Sequence, residues 1–168
     1  MVAHDKTLDK FLRAAGDKLG TKLSLDKNGI CILKKNENER EYIVELPRSS
    51  DVLYFYAAVC RVPYGCAEEF FEKILESNLC GIEYNQATFG LDPKTQNIVI
   101  SYTRSMQSLD EVSFSNILVN FINTTDRARE NLTKLSKDLS EAATLTEDDI
   151  QSELNVRKFN ENLDKMKV

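Results

Sequence analysis

Apolar residues recur at helical spacing in three stretches of the chain. In the first stretch they fall at i, i+3, i+4, i+7 and i+11, and the residues are Leu8, Phe11, Leu12, Ala15 and Leu19. Asp5 can cap this stretch, and Gly20 lies just past its end, where glycine commonly stops a helix. The pattern predicts an amphipathic first helix that lies on a sheet. Core packing alone is the simpler interpretation of its apolar stripe, and a share in binding a partner is the alternative.

The second helical stretch runs from about Cys66 to Asn78. Glu68 and Glu69 lie in its first turn, where negative charge suits the positive end of the helix dipole. Its apolar residues occupy neighbouring positions and form a wide stripe: Phe70, Phe71, Ile74 and Leu75. Because one contact with a sheet needs only a narrower stripe, we expect one edge of this helix to face another subunit.

The third helical stretch follows Ser108 and Glu111, which have the spacing of a capping box. The apolar residues that come next keep helical spacing: Val112, Phe114, Ile117, Leu118, Phe121 and Ile122. Past Leu132 the stripe thins among charged residues, so the helix either leaves the domain or runs along its surface. Thr146 is a candidate cap for a separate fourth helix.

Short apolar segments bounded by turn residues predict strands between these helices. The turn sequence DKNG, from Asp26 to Gly29, joins Leu23 and Leu25 to a second run and predicts a first hairpin. The remaining predicted strands are Ile30 to Leu33, Glu41 to Leu46, Val52 to Cys60, Ala87 to Asp92 and Ile98 to Thr103.

The order of these elements predicts an α+β fold: an antiparallel sheet with helices in the order α-β-β-β-(β)-α-β-β-α. A C-terminal extension, either helical or disordered, follows the last helix. A chain of 168 residues can bury a core without disulfides or metals. We therefore expect one domain over residues 1–139 and a polar extension over residues 140–168.

The charge of the chain narrows the class of partner. Its formal net charge is −5 and it has no dense run of Lys or Arg, so it lacks the basic surface that nucleic acids require. The mixed charges from Lys34 to Tyr42 indicate a solvated hairpin turn.

The longest apolar stretch, Val52 to Cys60, is too short to cross a bilayer as a helix. We expect a cytoplasmic protein that is not inserted in a membrane.

Residues that carry chemistry are scarce. His4 is the only histidine and lies near the terminus, which disfavours a histidine-based catalytic triad. The four cysteines show no paired spacing, so neither a zinc site nor a disulfide framework is indicated: Cys31, Cys60, Cys66 and Cys80. Glycine-rich phosphate loops are absent from the sequence as well. We predict no catalytic residues, no metal and no cofactor.

Four segments resemble one known family in their order and spacing. These segments are FLRAAGDKLGTKLSLDKNGICIL, LYFYAAVCRVP, EEFFEKILESNLCGIEYNQATFGLDPKTQNIVISY and FSNILVNFINTTDRARENL. Together they resemble class I type III secretion chaperones, the Tir chaperone-like (CesT-type) family. Two departures are that the connector GIEYNQ lacks the usual small residues and that the tail after Leu139 is longer than the family normally carries.

The resemblance implies a bacterial cytosolic homodimer that binds the extended N-terminal segment of secreted effector proteins and keeps it competent for type III export. It also allows transient contact with the secretion apparatus. The implied partner-binding residues are Leu8, Phe11, Leu12, Leu23, Leu25, Ile30, Ile32, Tyr42 and Val44, of which roughly half must be internal core because strands alternate between two faces. The implied dimer-interface residues are Phe70, Phe71, Ile74, Asn78 and Leu79.

Two other interpretations of the sequence stay open. A longin-like or roadblock-like regulatory scaffold also joins helices to an antiparallel sheet without catalytic residues, and it would bind folded partners. A hydrolase or transferase that uses carboxylates is less favoured, because the acidic pairs lie in predicted first turns of helices, where the helix dipole already explains them.

Overall fold

The computed structural model describes residues 3–35, 40–48 and 50–165 of the chain. Three α-helices and five β-strands follow one another in these ranges, and their bounds are α1 Ala3–Leu19, β1 Ile30–Lys35, β2 Arg40–Glu45, β3 Val52–Arg61, α2 Ala67–Asn78, β4 Thr88–Asp92, β5 Asn97–Ser105 and α3 Glu111–Lys165. Short 3-10 turns follow α2 and β5. The tip of the predicted turn between Lys34 and Tyr42 lies outside the described residues.

The strands form one antiparallel sheet in the order β1-β2-β3-β5-β4. The longest pairing joins β3 to β5, with Val52 opposite Ser105 and Arg61 opposite Asn97, interrupted by an irregularity after Ala58. The hairpin of β1 and β2 forms one end of the sheet, and β4 forms the other. The predicted α+β fold and the predicted order of its elements are confirmed.

The core lies on one face of the sheet, where α1 and α3 cover it together with Phe70 and Ile74 of α2. Alternate side chains of β3, such as Leu53 and Phe55, are completely buried, as the two-residue period of a strand requires. The ring of Phe55 lies 6.0 Å from Phe114 and 5.8 Å from Phe121, both of which belong to α3. Phe114 also contacts Phe11 of α1 at 5.8 Å. Aromatic side chains thus connect the central strand with both helices.

The predicted strand at Leu23 and Leu25 is wrong, because this segment has no regular secondary structure and belongs to none of the strand pairs of the sheet. The N–H of Leu25 donates to the Asp9 carboxylate of α1 at 3.0 Å, which holds the segment against the helix. The carboxylate of Asp26 accepts the N–H groups of Asn28 and Ile30, as an Asx turn does. The turn therefore forms as predicted, and it is closed both by the Asp26 carboxylate and by a backbone bond from the N–H of Asp26 to the carbonyl of Ile30.

The start and the end of α3 also differ from the predictions. The cap is Asp110, whose carboxylate accepts the N–H of Ser113 at 2.7 Å, while the Ser108 hydroxyl donates to the carbonyl of Ser105. The predicted capping box is therefore wrong. No separate helix begins at Thr146, because α3 continues unbroken through 55 residues to Lys165. At 1.5 Å per residue such a helix is roughly 80 Å long, which is well beyond the span of the sheet.

The connector between α2 and β4 packs against the core through one large side chain, that of Tyr84. Tyr84 is almost completely buried, and its ring meets that of Phe89 edge to face at 4.8 Å. Asn85 and Gln86 have φ values of 54° and 67°, in the left-handed region that is unfavourable for residues other than glycine. Tyr84 is therefore the anchor of this connector, whereas Ile82, Glu83, Asn85 and Gln86 are exposed.

Asn78, the last residue of α2, fastens the helix to the edge strand β4. Its side-chain amide donates to the carbonyl of Phe89 at 3.1 Å and accepts the N–H of Phe89 at 2.8 Å. One asparagine side chain thus pairs with both backbone groups of Phe89, as a neighbouring strand would.

Replacement of Asn78 by alanine should lower the free energy of unfolding by about 1 to 3 kcal/mol, because a partly buried N–H and C=O would lose their partners. Urea denaturation followed by circular dichroism measures the change. Asn116→Ala, at an exposed position of α3, is the matched control and should cost far less. Equal stability of the two variants would contradict this role of Asn78.

Candidate functional site

The strand β1 is an edge of the sheet and pairs only with β2. The backbone groups of Ile30 point away from β2, because the N–H donates to the Asp26 carboxylate and the carbonyl accepts the N–H of Asp26. Backbone groups alternate in direction along a strand, so those of Ile32 point the same way. In the ranges that the structure covers, nothing hydrogen-bonds to the N–H or C=O of Ile32. This position can accept the backbone of an added strand.

A groove lies beside this edge, where the end of α1 approaches β1 and α3. It has a volume of about 320 Å³ and is lined by Leu19, Thr21, Leu33, Lys34, Lys35, Val119, Ile122 and Asn123. Leu19 and Val119 are large apolar side chains, and both are exposed. We call these lining residues the α1–α3 groove. Its apolar walls and lysine rim can receive the side chains of an extended segment that lies along β1.

The outer face of the sheet next to this edge is also apolar. Ile32 is 50% exposed and lies opposite Ile43, which in turn lies opposite Tyr56 of β3. These three side chains form one row across three strands, because side chains at paired positions share a face. An added strand would extend this row by one residue.

The structure separates the nine predicted partner-binding residues into two groups. Six of them are buried in the core: Leu8, Phe11, Leu12, Leu23, Tyr42 and Val44. Leu25 and Ile30 are half-buried, and Ile32 is exposed. Of the nine, Ile32 has the clearest access to a partner. Sequence reasoning did not propose Val119, which lies outside the apolar stripe of α3. It placed Leu19 in the stripe of α1, for which core packing was the simpler interpretation and partner binding the alternative.

A second exposed apolar surface lies at the end of α2. Phe70 and Ile74, two of the predicted dimer-interface residues, are buried in the same protomer, and Phe71 and Asn78 are half-buried. Leu79 is 73% exposed. Leu75 and Ile82, which were not in the predicted set, are exposed to a similar degree. We call Leu75, Leu79 and Ile82 the α2 patch. Clustered apolar residues of this kind commonly mark a protein interface.

A charged cluster on α3 holds the hairpin of β1 and β2. The Asp126 carboxylate accepts hydrogen bonds from Lys35 at 2.7 Å, from Arg40 at 3.4 Å and from the hydroxyl of Tyr42. Burial raises the pKa of Tyr42 to about 12, helped by its bond to Asp126. Burial also tends to raise the pKa of Asp126, but the hydrogen bonds from Lys35 and Tyr42 outweigh it and hold that pKa below its ordinary value. Asp126 is therefore charged at neutral pH.

The described part of the chain offers little support for catalysis or metal binding. No group of three or more His, Cys, Asp and Glu residues there could hold a metal ion. Burial raises the pKa of the Cys60 thiol to about 11, which keeps it protonated and poorly nucleophilic at neutral pH. None of the helices, as far as the structure describes them, combines the length and the apolar character needed to cross a bilayer.

Comparison with known proteins identifies relatives of the chain. The model of the Tir chaperone protein (CesT) family matches residues 10–129. A search of curated proteins finds no match. Solved structures with the same fold include the ExsC–ExsE complex, with a TM-score of 0.65 at 19% identity over 76% of this chain and 95% of that one.

Two further structures are similar. The HopA1–SchA chaperone–effector complex gives a TM-score of 0.62 at 14% identity, over 77% of this chain and 98% of that one. The ExoU–SpcU complex from the type III secretion system of Pseudomonas aeruginosa gives 0.56 at 16% identity, over 76% and 96%. Identities this low establish the fold, which agrees with the family match.

Replacement of Asp126 by asparagine should lower the stability of the protein at pH 7, because Lys35 and Arg40 would lose their anionic partner. Since the pKa of Asp126 is lowered on folding, its contribution is present above the ordinary value of 3.8 and is lost as the pH falls below it. Urea midpoints measured from pH 7 to pH 3 should therefore converge for the two proteins. Asp138→Asn, at an exposed site of α3, is the control, and a pH-independent difference for Asp126→Asn would contradict this assignment.

Proposed function

We propose that this chain, which belongs to the Tir chaperone protein (CesT) family, is a cytoplasmic chaperone that binds extended N-terminal segments of secreted effector proteins along the β1 edge. The family match confirms the resemblance found in the sequence. The observation that carries the proposed binding site is the unpaired backbone of Ile32 beside the apolar α1–α3 groove.

An extended segment and this edge complement each other physically. The backbone of the segment adds a strand to β1, and its side chains alternate between the two faces of the sheet. On the outer face they continue the row of Ile32 and Ile43, and on the inner face they enter the groove beside Leu19 and Val119. Segments that become ordered on binding lose roughly 2 to 5 kcal/mol to ordering, so a site that is already formed favours them.

The partners in related structures support this class of client. The HopA1–SchA structure is a chaperone–effector complex, and the ExoU–SpcU heterodimer comes from a type III secretion system. We assign a partner of the same kind to this chain. A regulatory scaffold for folded partners is not favoured, because the family match points to chaperones, which are not an enzymatic class either.

A second copy of the chain is the proposed partner of the α2 patch. A two-fold interface uses the same surface on both subunits, and a compact apolar surface on one helix suits such a contact. Leu75 and Leu79 lie one turn apart on α2 and its 3-10 extension, and Ile82 follows. Phe70 and Ile74 are buried within the protomer, so they would hold α2 in place and would not contact the second subunit themselves.

The C-terminal part of α3 is proposed to be an appendage of the chaperone domain. The family match ends at residue 129, whereas α3 continues to Lys165. Similar structures are almost completely covered in the comparison, yet they leave about a quarter of this chain without a counterpart. We keep residues 1–139 as the domain and residues 140–168 as its polar extension.

Replacement of Ile32 by proline should weaken client binding about tenfold or more, because it removes the N–H that faces the open edge while the ladder to β2 is left in place. Ile32→Thr is the matched control: it keeps the N–H and should weaken binding less. The measurement is co-purification and titration with N-terminal segments of effectors encoded near this gene. Wild-type affinity of a folded Ile32→Pro protein would contradict the proposed edge, and failure of the wild type to bind any such segment would contradict the proposed function.

Replacement of Leu79 by aspartate should convert a dimer to monomers without unfolding the protomer, because Leu79 is exposed within it. Size-exclusion chromatography with light scattering gives the mass directly. Val112→Asp changes an equally apolar exposed residue at the start of α3 and should leave the dimer intact. A soluble Leu79→Asp protein with dimer mass would rule out the α2 patch as the interface.

A further inference from the structure

We infer that Arg129 sets the position of the β1–β2 hairpin against the rest of the sheet, and thereby the shape of the β1 edge. The effect on the edge is inferred from contacts within the fold and does not depend on the proposed function. Its consequence for client binding rests on the proposed function.

The ladder between β2 and β3 stops early. Three residue pairs join the two strands, from Glu45 opposite Tyr54 to Ile43 opposite Tyr56. Two steps further in the same register, Glu41 would lie opposite Ala58, and both residues lie within their strands. That pair is missing from the ladder, so the strands separate towards the free end of the hairpin.

The guanidinium of Arg129 occupies the place of the missing pair. Its Nε donates to the carbonyl of Ala58 at 3.0 Å, and its Nη2 donates to the carbonyl of Glu41 at 3.0 Å. One side chain from α3 therefore bridges the two carbonyls that would otherwise belong to the ladder. The planar fork of an arginine suits such a bridge, whereas the single ammonium of a lysine does not.

Other contacts fix the guanidinium in this place. It lies over the ring of Tyr42 at 4.8 Å, and its Nη1 is 3.5 Å from the Asp126 carboxylate. The Arg129 side chain is only 11% exposed. Nη1 is buried and has no hydrogen-bond acceptor among the described residues. The negative charge of Asp126 offsets the positive charge of the guanidinium there. A buried charge held on three sides is costly to move.

The separated strands leave a cavity of about 430 Å³ beside Arg129, next to Ile43 and Val59. The distal half of the hairpin thus reaches the remainder of the sheet through side chains of α3. Since β1 is carried on this hairpin, the arginine determines how far Leu33 and Lys35 stand from Val119 across the α1–α3 groove. Arg129 is therefore a positioning residue for the client site and need not touch the client.

Hydrogen exchange on the full-length protein tests this role. Arg129→Met should raise amide exchange in residues 40–45 and 30–35 by about tenfold, since two charge-assisted hydrogen bonds are lost. Exchange in β5 should stay unchanged. Arg129→Lys should give an intermediate effect, which separates the loss of the bridge from the loss of charge. Arg127→Lys is the control, because Arg127 donates to the carbonyl of Glu83 on the opposite side of the helix.

Client affinity is then measured for the same variants with the segment that the wild type binds. We expect it to fall about fivefold to tenfold in Arg129→Met, less in Arg129→Lys, and not in Arg127→Lys. Unchanged hairpin exchange in both folded Arg129 variants would overturn the inference. Faster hairpin exchange with unchanged affinity would overturn its link to client binding. If the wild type bound no segment, the proposed function would fail, while the exchange data would still decide the role of Arg129.

Discussion

The packing of α3 across the inner face of the sheet is the contact on which this structure depends. Its Phe114 and Phe121 enclose Phe55 of the central strand. Further along the same helix, Arg129 and Asp126 hold the hairpin at one end of the sheet. On its other side, polar contacts reach the connector after α2, where Asn85 donates to Thr124 at 2.9 Å. One helix therefore contacts the central strand, the hairpin at one end of the sheet and the connector that leads into β4 at the other end.

The sequence predicted the elements of the fold because their signals are local. The stripe from Leu8 to Leu19 and the apolar run from Val52 to Cys60 depend on residues a few positions apart, and they formed the predicted helix and strand. The strand predicted at Leu23 and Leu25 did not form, because the hydrogen-bond partner of this segment is distant in the sequence. The Asp9 carboxylate, 16 residues earlier, takes the N–H of Leu25, and no short-range pattern reveals such a bond.

The candidate site was harder to predict for the same physical reason. Alternation shows that half of the residues in a strand face a core, but it does not show which half until the register is known. Val119 looked like a residue on the polar side of its helix, and it lines the groove only because α1 ends nearby. Nothing in the local sequence distinguishes Arg129 from the other charged residues of α3. Its role depends on two carbonyls that lie 71 and 88 residues away in the chain.

The two edges of the sheet present different surfaces to the two partners proposed above, an effector segment and a second subunit. At β4, the amide of Asn78 pairs with the backbone of Phe89, and the exposed surface near this contact is the apolar α2 patch. At β1, Asp26 closes the edge only as far as Ile30, and Ile32 follows with its backbone groups unpaired by any described residue. An added strand can therefore pair over a short stretch only. In the proposed complex few backbone bonds form there, so selectivity would have to come from side chains, and the groove beside Leu19 and Val119 is its proposed determinant.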